Sequence, residues 1–340
     1  MEAILVVGGG PAGGAAALAA LAEGAPVRIV ERSRHPKHKV CGEFLSPDAF
    51  HILDLLGAWK DLEGLKPAHI RKCRLRFGLR EKRWNLAEPA FGLSRFELDK
   101  LLLDKAGALG ATVSRGECGA ADQREAAAPR IVLATGRKGT ASPPNRLFGF
   151  KAHFEGPMDD TIELFFGRQG YVGVSPVENG WTNVCGIVPE TALRRHGFDV
   201  DEWLAASDPL AERLRPLRRR MQWLMAGPLS FSAVAHSERN ERVYPAGDAL
   251  GFVDPFTGSG ILNALLTGRM AGQSAARAVP SPDYIRACRS LLDQPFGVSA
   301  MVRQLLEWDC AYYLAALIPG RWLFRLTRVH VSGFVAQPHW

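Results

Sequence analysis

The chain has 340 residues, 47% of them hydrophobic and 23% charged, with a formal net charge of +7. That length can bury a large core and suggests about two domains, and the composition is that of a globular protein rather than a disordered or fibrous one. No uninterrupted apolar run reaches the ~20 residues of a membrane span, and the N-terminus runs straight into a strand, so no secretory signal is expected.

The first stretch, Ala3-Ile4-Leu5-Val6-Val7, is apolar and uncharged and reads as a fully buried strand. It breaks at glycines and restarts as an Ala- and Leu-rich helix over residues 15–22. Gly8, Gly10 and Gly13, with Pro11 and Ala12 between the last two, occupy the glycine positions of G-x-G-x-x-G. The first glycine permits a tight turn, the second lets backbone approach a pyrophosphate, and the third lets helix pack on strand. The amides and positive dipole end of that helix then face the phosphates. Residues 25–30 read as the second strand, which ends on Glu31, followed by Arg32. A carboxylate about 20 residues beyond the turn is placed to take the ribose hydroxyls of an adenine dinucleotide.

A basic loop follows, then Lys39-Val40-Cys41-Gly42-Glu43. Ser46 is expected to cap a helix that starts at Pro47 and runs to Trp59. Alternating polar and apolar residues over 70–86 predict two strands with a turn near Gly78, and residues 94–109 predict an amphipathic helix stopped at Gly110. A strand over 111–114, a loop over 116–128 and a strand from Arg130 into the small-residue turn at Gly136 come next. Strands are expected over 148–154, 161–166, 171–175 and 181–188, with Asn179-Gly180 as a hairpin turn. Strands without intervening helices suggest a second, mostly antiparallel sheet inserted in the dinucleotide domain.

Residues 192–225 look helical in pieces, and they carry Arg213, Arg215, Arg218, Arg219 and Arg220. That cluster reads either as a solvated face or as a docking patch for something acidic, such as a carrier protein, a phosphorylated substrate or a lipid head group. Nucleic acid is not expected, since no recognition motif or aromatic platform accompanies the arginines. A strand over 229–235, a strand and turn over 241–249, a glycine-rich loop over 251–260 and a helix over 261–278 precede a helical remainder. Its most apolar stretch, 311–318, stops at Pro319-Gly320. The six cysteines form no Cys-x-x-Cys pair and show no zinc spacing with histidine, so reduced thiols, a cytoplasmic location and no metal site are expected.

Taken in order, the Gly8–Gly13 turn with Glu31, the Ser94-Arg95 helix with Asp99, Ala134-Thr135-Gly136, and Ala246-Gly247-Asp248 through Gly260 resemble one superfamily. It is the flavoprotein superfamily of geranylgeranyl reductases, aromatic hydroxylases (class A monooxygenases) and flavin-dependent halogenases. The Lys39–Glu43 stretch looks most like its reductase branch. The resemblance implies an α/β fold: a Rossmann-like FAD-binding domain, an inserted, mostly antiparallel β-sheet substrate domain, and C-terminal helices. Segments 1–69, 94–145 and 241–280 would form the first, 70–93 and 146–240 the second, and 281–340 the last.

It also implies non-covalent FAD. Asp248, beside Gly247, would accept a hydrogen bond from a ribityl hydroxyl, or else merely cap the next turn. The loop carrying Pro255, Gly258, Ser259, Gly260 and Ile261 would leave amides facing the electron-rich edge of the flavin. Arg95 would reach the pyrophosphate or ribityl chain, or else pair with Asp99. Arg32, Lys39 and Gly136 join the cofactor-binding set. Cys41 would lie near the flavin ring in a chemical role, with Gly42 allowing close approach, or would be a buried structural thiol. Reductases of this superfamily carry Tyr-x-Trp-x-Phe-Pro in the substrate sheet; here Tyr171 and Pro176 are kept, and the tryptophan and phenylalanine are lost. The halogenase motif Gly-Trp-x-Trp-x-Ile-Pro is not found.

A single dinucleotide fingerprint means that NADPH or NADH binds only transiently, or that a separate reductase or ferredoxin delivers electrons. The expected function is FAD-dependent hydroxylation of a large apolar or aromatic metabolite, free or carrier-bound, such as a polyketide or phenolic lipid, with at most peripheral membrane contact. Reduction of isoprenoid double bonds is the second reading. A flavin-binding docking protein without turnover is the third.

Overall fold

The computed structural model describes residues 3–34, 36–78, 80–116, 130–137, 146–167, 170–236, 240–307 and 326–329. Strand β1 (Ile4–Val7) is buried at every position and sits at the centre of a five-stranded parallel sheet. Its neighbours are β2 (Val27–Glu31) and β7 (Ile131–Leu133), with β6 (Thr112–Arg115) beyond β2 and β14 (Val243–Pro245) beyond β7. Both faces of β1 are buried, Ile4 and Val6 in the main core and Leu5 and Val7 in a smaller cluster with Val30, which is why its sequence is continuously apolar rather than alternating.

Helix α1 (Pro11–Ala22) follows the glycine turn, with a proline at its first position where the missing amide costs nothing. It is buried between β1, α4 (Arg95–Ala108) and α8 (Gly260–Ala276), and its alanines suit that confinement. A Cβ at Gly268 or Gly272 of α8 would overlap the carbonyls of Ala12 and Ala16, so the two helices meet backbone to backbone.

The second sheet runs β12-β8-β11-β10-β9-β4-β5-β3, with β13 also on β8. Its strands are β3 (Phe44–Leu45), β4 (Ala68–Phe77), β5 (Arg80–Gly92), β8 (Leu147–Glu155), β9 (Thr161–Gly167), β10 (Gly170–Val177), β11 (Trp181–Pro189), β12 (Arg218–Arg219) and β13 (Leu224–Leu229). Every pair is antiparallel except β4 with β9, which come from different stretches of chain and meet in parallel register, Cys73 opposite Ile162. Asn179 and Gly180 take φ of 61° and 72°, the left-handed pair that a tight hairpin needs. The fold is therefore the expected one, a Rossmann-like layer with a separate, mostly antiparallel sheet.

Several local expectations are corrected. The helix at Pro47 is α2 (Pro47–Leu55); it ends before Gly57, whose φ is 64°, and Trp59 opens a separate α3 (Trp59–Gly64). Ser46 does not cap by side chain; its hydroxyl is buried without a hydrogen-bond partner among the described residues. Helices α5 (Glu190–Arg195), α6 (Val200–Ala205) and α7 (Asp208–Leu214) form as expected, but the chain then turns extended to pair with the edge of β8. Strand β13 therefore lies before residues 229–235, where only a single bridge, Ser232 to Phe252, forms beyond its last residue. The arginine run is not one helical face, since only Arg213 lies in α7. Carboxylates balance it: Arg213 pairs with Glu163, Arg218 and Arg220 with Glu155, Arg219 with Asp201, and Arg215 lies 3.9 Å from Glu212.

Helix α9 (Ser281–Glu307) follows, and beyond it Arg328 is buried and donates to the Thr257 carbonyl while Val329 joins the main core. Most of the expected 116–128 loop, the 311–318 stretch, Cys118 and Cys310 lie outside the described residues. Among those described, Cys41, Cys73, Cys185 and Cys288 are free thiols, and no helix is long and apolar enough to cross a membrane.

Candidate active site

A cavity of about 890 Å³ is lined by residues of both sheets, within the size range of small-molecule sites. At one end lies the β1–α1 turn. Gly8 has φ of 105°, and a Cβ there would overlap the Ala134 carbonyl; a Cβ at Gly13 would overlap the Gly8 carbonyl. This tightness brings Gly8, Gly10, Pro11 and Ala12 to the cavity wall at the N-terminus of α1, while Gly13 sits behind, packing helix against strand. Free amides and a positive dipole end at the wall suit a pyrophosphate.

Glu31 ends β2 and is 8% exposed, with Arg32 beside it on the wall. Its carboxylate accepts the Gly9 amide at 2.6 Å and the Ser33 amide at 2.8 Å. Burial works to raise its pKa, but the Ser33 and Gly9 donors and nearby Lys39 outweigh burial and hold it below the usual carboxylate range. Glu31 thus remains ionised beside the cavity and also fastens the glycine turn. Glu31→Ala is expected to weaken FAD binding by ~1–3 kcal/mol, the scale for losing hydrogen bonds to a charged acceptor. Titration of the variant apoprotein with FAD measures it, and unchanged affinity would make Glu31 a turn staple alone.

Arg95 makes the Asp99 pair raised as its second alternative, and it also stands on the cavity wall. Its guanidinium grips Asp99 at 2.7 and 3.0 Å, an ion pair largely buried, while it also lines the cavity beside Gly10. Burial disfavours its charge, but Asp99 more than restores it. Lys39 holds the other side of Asp99 at 2.9 Å. Across the cavity, Gly247 donates its amide to Thr267 Oγ1, and Asp248 makes no side-chain hydrogen bond among the described residues. The capping role is therefore not seen. Burial pushes the Asp248 carboxyl up, and Arg95 and Arg137 pull it back. Gly136, Pro255, Gly258, Gly260 and Ile261 line the wall, the last two at the N-terminus of α8. Ser259 does not: it is buried, hydrogen-bonded to Thr257 at 2.7 Å.

The Lys39–Glu43 stretch forms another wall of the cavity. Cys41 takes the Glu43 amide on its sulfur at 3.3 Å, and its carbonyl accepts Asn183 Nδ2 at 3.0 Å. Burial pushes its thiol up, with Arg95 partly offsetting, so it remains a neutral thiol. Glu43 adopts φ of 54°, unusual for a non-glycine residue. It is held there by the Lys151 ammonium, by His153 Nε2 at 2.6 Å and by the Arg95 amide at 2.7 Å. Burial alone would raise its carboxyl, but the His153 hydrogen bond and the Lys151 charge keep it below the usual range.

The remaining wall is apolar and aromatic, from Cys73, Leu75, Trp84, Ile162, Leu164 and Phe166. Tyr171 joins it and donates its hydroxyl to Asp254 Oδ1 at 3.0 Å; burial, then the Asp254 charge, drives its pKa well up. Pro176 is not on this wall. Its carbonyl packs against Gly92 of β5, too close for any Cβ there, so its expected place at the substrate is corrected to a sheet contact.

Sequence reading missed Lys151, His153, His38 and Arg137. The first two had a visible signal: polar residues two apart in the otherwise apolar strand Leu147–Glu155 share one face, and a buried face needs partners for them. No metal site was expected either, yet ring nitrogens of His38 and His153 and a Glu43 oxygen lie within 4.8 Å of one another. Lys151, already on Glu43, is the cation of that cluster, and it leaves the carboxylate little capacity for a metal.

Residues 1–142 match the family model described as FAD binding domain. The menaquinone reductase of Mycobacterium tuberculosis is 27% identical over 352 residues, spanning 86% of this chain and 80% of that protein. The digeranylgeranylglycerophospholipid reductase of Thermoplasma acidophilum is 27% identical over 323 residues, spanning 83% and 79%. In fold, the structure of a triple mutant of the flavin-dependent brominase Bmp2 superposes with a TM-score of 0.78 at 16% identity, covering 95% of this chain and 93% of that one.

Proposed function

As the chain belongs to the superfamily of FAD-dependent oxidoreductases, we propose that it reduces a carbon–carbon double bond of a large, apolar, isoprenoid-type substrate. The observation that carries this reading is the Cys41-Gly42-Glu43 turn lying on the same cavity as the apolar wall of Trp84, Ile162, Leu164 and Phe166. Both relatives above are reductases by name, and this moves the weight from hydroxylation, the first expectation, to reduction.

The residues present fit FAD. The glycine turn and α1 would hold its pyrophosphate, Glu31 its adenosine ribose, Asp248 its ribityl chain, and the N-terminus of α8 the flavin's electron-rich edge. When bound, FAD supplies two-electron chemistry from NADPH, NADH or a donor protein. The chain's own contribution is to orient the substrate along the apolar wall, exclude water and keep Cys41 protonated beside the reacting carbons.

The test is anaerobic. Holoprotein reduced with NADPH, then mixed with menaquinone or digeranylgeranylglycerophospholipid in detergent, should be reoxidised and give a product richer by two hydrogens in its isoprenoid chain, with the menaquinone product still carrying two hydrogens more after its ring is reoxidised to the quinone. Reoxidation only with oxygen, with one oxygen atom added to the product, replaces this reading by hydroxylation, which the aromatic rings of Tyr171, Phe166 and Phe256 favour. No flavin reduction by any donor points to the docking protein.

Cys41→Ser should leave FAD content intact, because the phosphate and ribose contacts lie elsewhere. Turnover per bound flavin should change, since a soft, weakly polar sulfur gives way to a stronger hydrogen-bonding hydroxyl. Flavin occupancy, melting temperature and turnover measured on one preparation separate the readings. Wild-type turnover per flavin would make Cys41 a structural thiol.

A further inference from the structure

Reduction of a double bond adds two hydrogens: a hydride equivalent, which the reduced cofactor supplies, and a proton, which must come from elsewhere. The cavity wall offers few groups able to give one near neutral pH. The Cys41 thiol is pushed up by burial, and Tyr171 is driven well up while committed to Asp254. Glu43 is ionised and locked by its donors, and Lys39 and Arg95 are held by Asp99. Asp248 stands at the cofactor end, across from the apolar wall.

His38 remains. It lines the cavity three residues before Cys41, stacked on Phe96 with ring centroids 5.1 Å apart and edge-on to His153 at 5.1 Å. Its Nδ1 is buried without a hydrogen-bond partner among the described residues, so no hydrogen bond there fixes its protonation. The groups around it come from three elements: Lys151 and His153 from β8, Glu43 from the following turn, and Phe96 from α4. Burial, then the Lys151 and His153 charges, lower its pKa below the ordinary histidine value, against a weaker opposing pull from Glu43. That shift makes the imidazolium a stronger acid.

Building on the reductase reading, we propose that His38 is the proton donor of the cavity, held in place by Phe96 and by the buried Lys151–Glu43–His153 cluster. One carbon of the double bond takes the hydride equivalent. The His38 imidazolium gives its proton to the other carbon, leaves as neutral imidazole, and regains a proton from solvent before the next turnover. The balance is two electrons and two hydrogens gained by the substrate.

The test compares wild type with His38→Gln. Flavin content and melting temperature should be unchanged. Anaerobic reoxidation of the reduced holoenzyme by digeranylgeranylglycerophospholipid, which offers double bonds and no quinone ring, should slow about 100-fold, the lower end of general acid catalysis. The wild-type rate should be highest at low pH and fall as pH rises through a pKa below the ordinary histidine value; the variant should lose that dependence, and added imidazole should restore part of the rate. A readout independent of turnover is the NMR titration of histidine rings in the unloaded protein, where the resonance missing from His38→Gln should titrate below the ordinary value. If neither digeranylgeranylglycerophospholipid nor menaquinone reoxidises the wild type, the reductase reading falls, and the same variant is read with oxygen, whose reduction to hydrogen peroxide also takes a hydride equivalent and a proton. An unchanged rate and pH profile with whichever acceptor reoxidises the wild type overturns the proposal. So does a loss of rate that merely follows a loss of flavin.

Discussion

Lys151→Met is expected to destabilise the protein by about 3–5 kcal/mol, the scale for removing one partner of a buried ion pair. Lys151 and Glu43 both have fully buried side chains, and the carboxylate would keep only His153 and the Arg95 amide. Methionine fills similar space, so the loss comes from the stranded charge rather than from a cavity. Urea denaturation at neutral pH measures it. Adding Glu43→Gln removes that charge and should recover much of the loss, because replacing both partners is far less costly than breaking the pair.

The pH dependence has a definite sign. In the wild type the Glu43 pKa is depressed by folding, so its contribution is present above the ordinary carboxylate range and is lost as pH falls through the lower folded value. Lys151→Met removes part of the pull that opposes burial and leaves the His153 hydrogen bond, so Glu43 is protonated more readily than in the wild type and protonation relieves the variant. The gap between the two proteins should therefore narrow as pH is lowered. A Lys151→Met protein with the wild-type urea midpoint would show that the pair contributes nothing net.

Gly13→Ala is expected to lower stability by about 1–3 kcal/mol or more, as overpacking does, and to abolish stable FAD binding. The new Cβ would overlap the Gly8 carbonyl, and Gly8 cannot retreat because its own Cα faces the Ala134 carbonyl across the β1–β7 pair. Backbone on both sides leaves no flexible atom to yield. Gly10→Ala is the contrast: its Cβ would lie 3.3 Å from Arg95 Nη2, the end of a side chain that can shift. It should keep the melting temperature of the apoprotein and weaken FAD binding only, by intruding on the cavity wall. Equal melting temperatures for Gly13→Ala and wild type would mean the turn is looser than its geometry indicates.

Residues whose role follows from local backbone chemistry were legible in the sequence. Gly8, Gly10 and Gly13 announce a tight strand-to-helix turn because only glycine tolerates that approach, and Glu31 lies one strand further on at fixed spacing. The run of strands over residues 148–188, with Asn179-Gly180 as a hairpin turn and no helix between them, announces an antiparallel sheet because such short connections join only antiparallel neighbours. What the sequence could not supply was the pairing of distant segments. Lys151 and His153 become partners of Glu43 only when β8 is laid beside the turn that follows Lys39, more than 100 residues earlier in the chain. Ser46 and Pro176 fit local motifs, but packing against neighbouring elements decided their places. His38 carries no motif at all. Its suitability as an acid comes from burial and from the Lys151 cation on β8, and such long-range electrostatics exist only once the chain has folded.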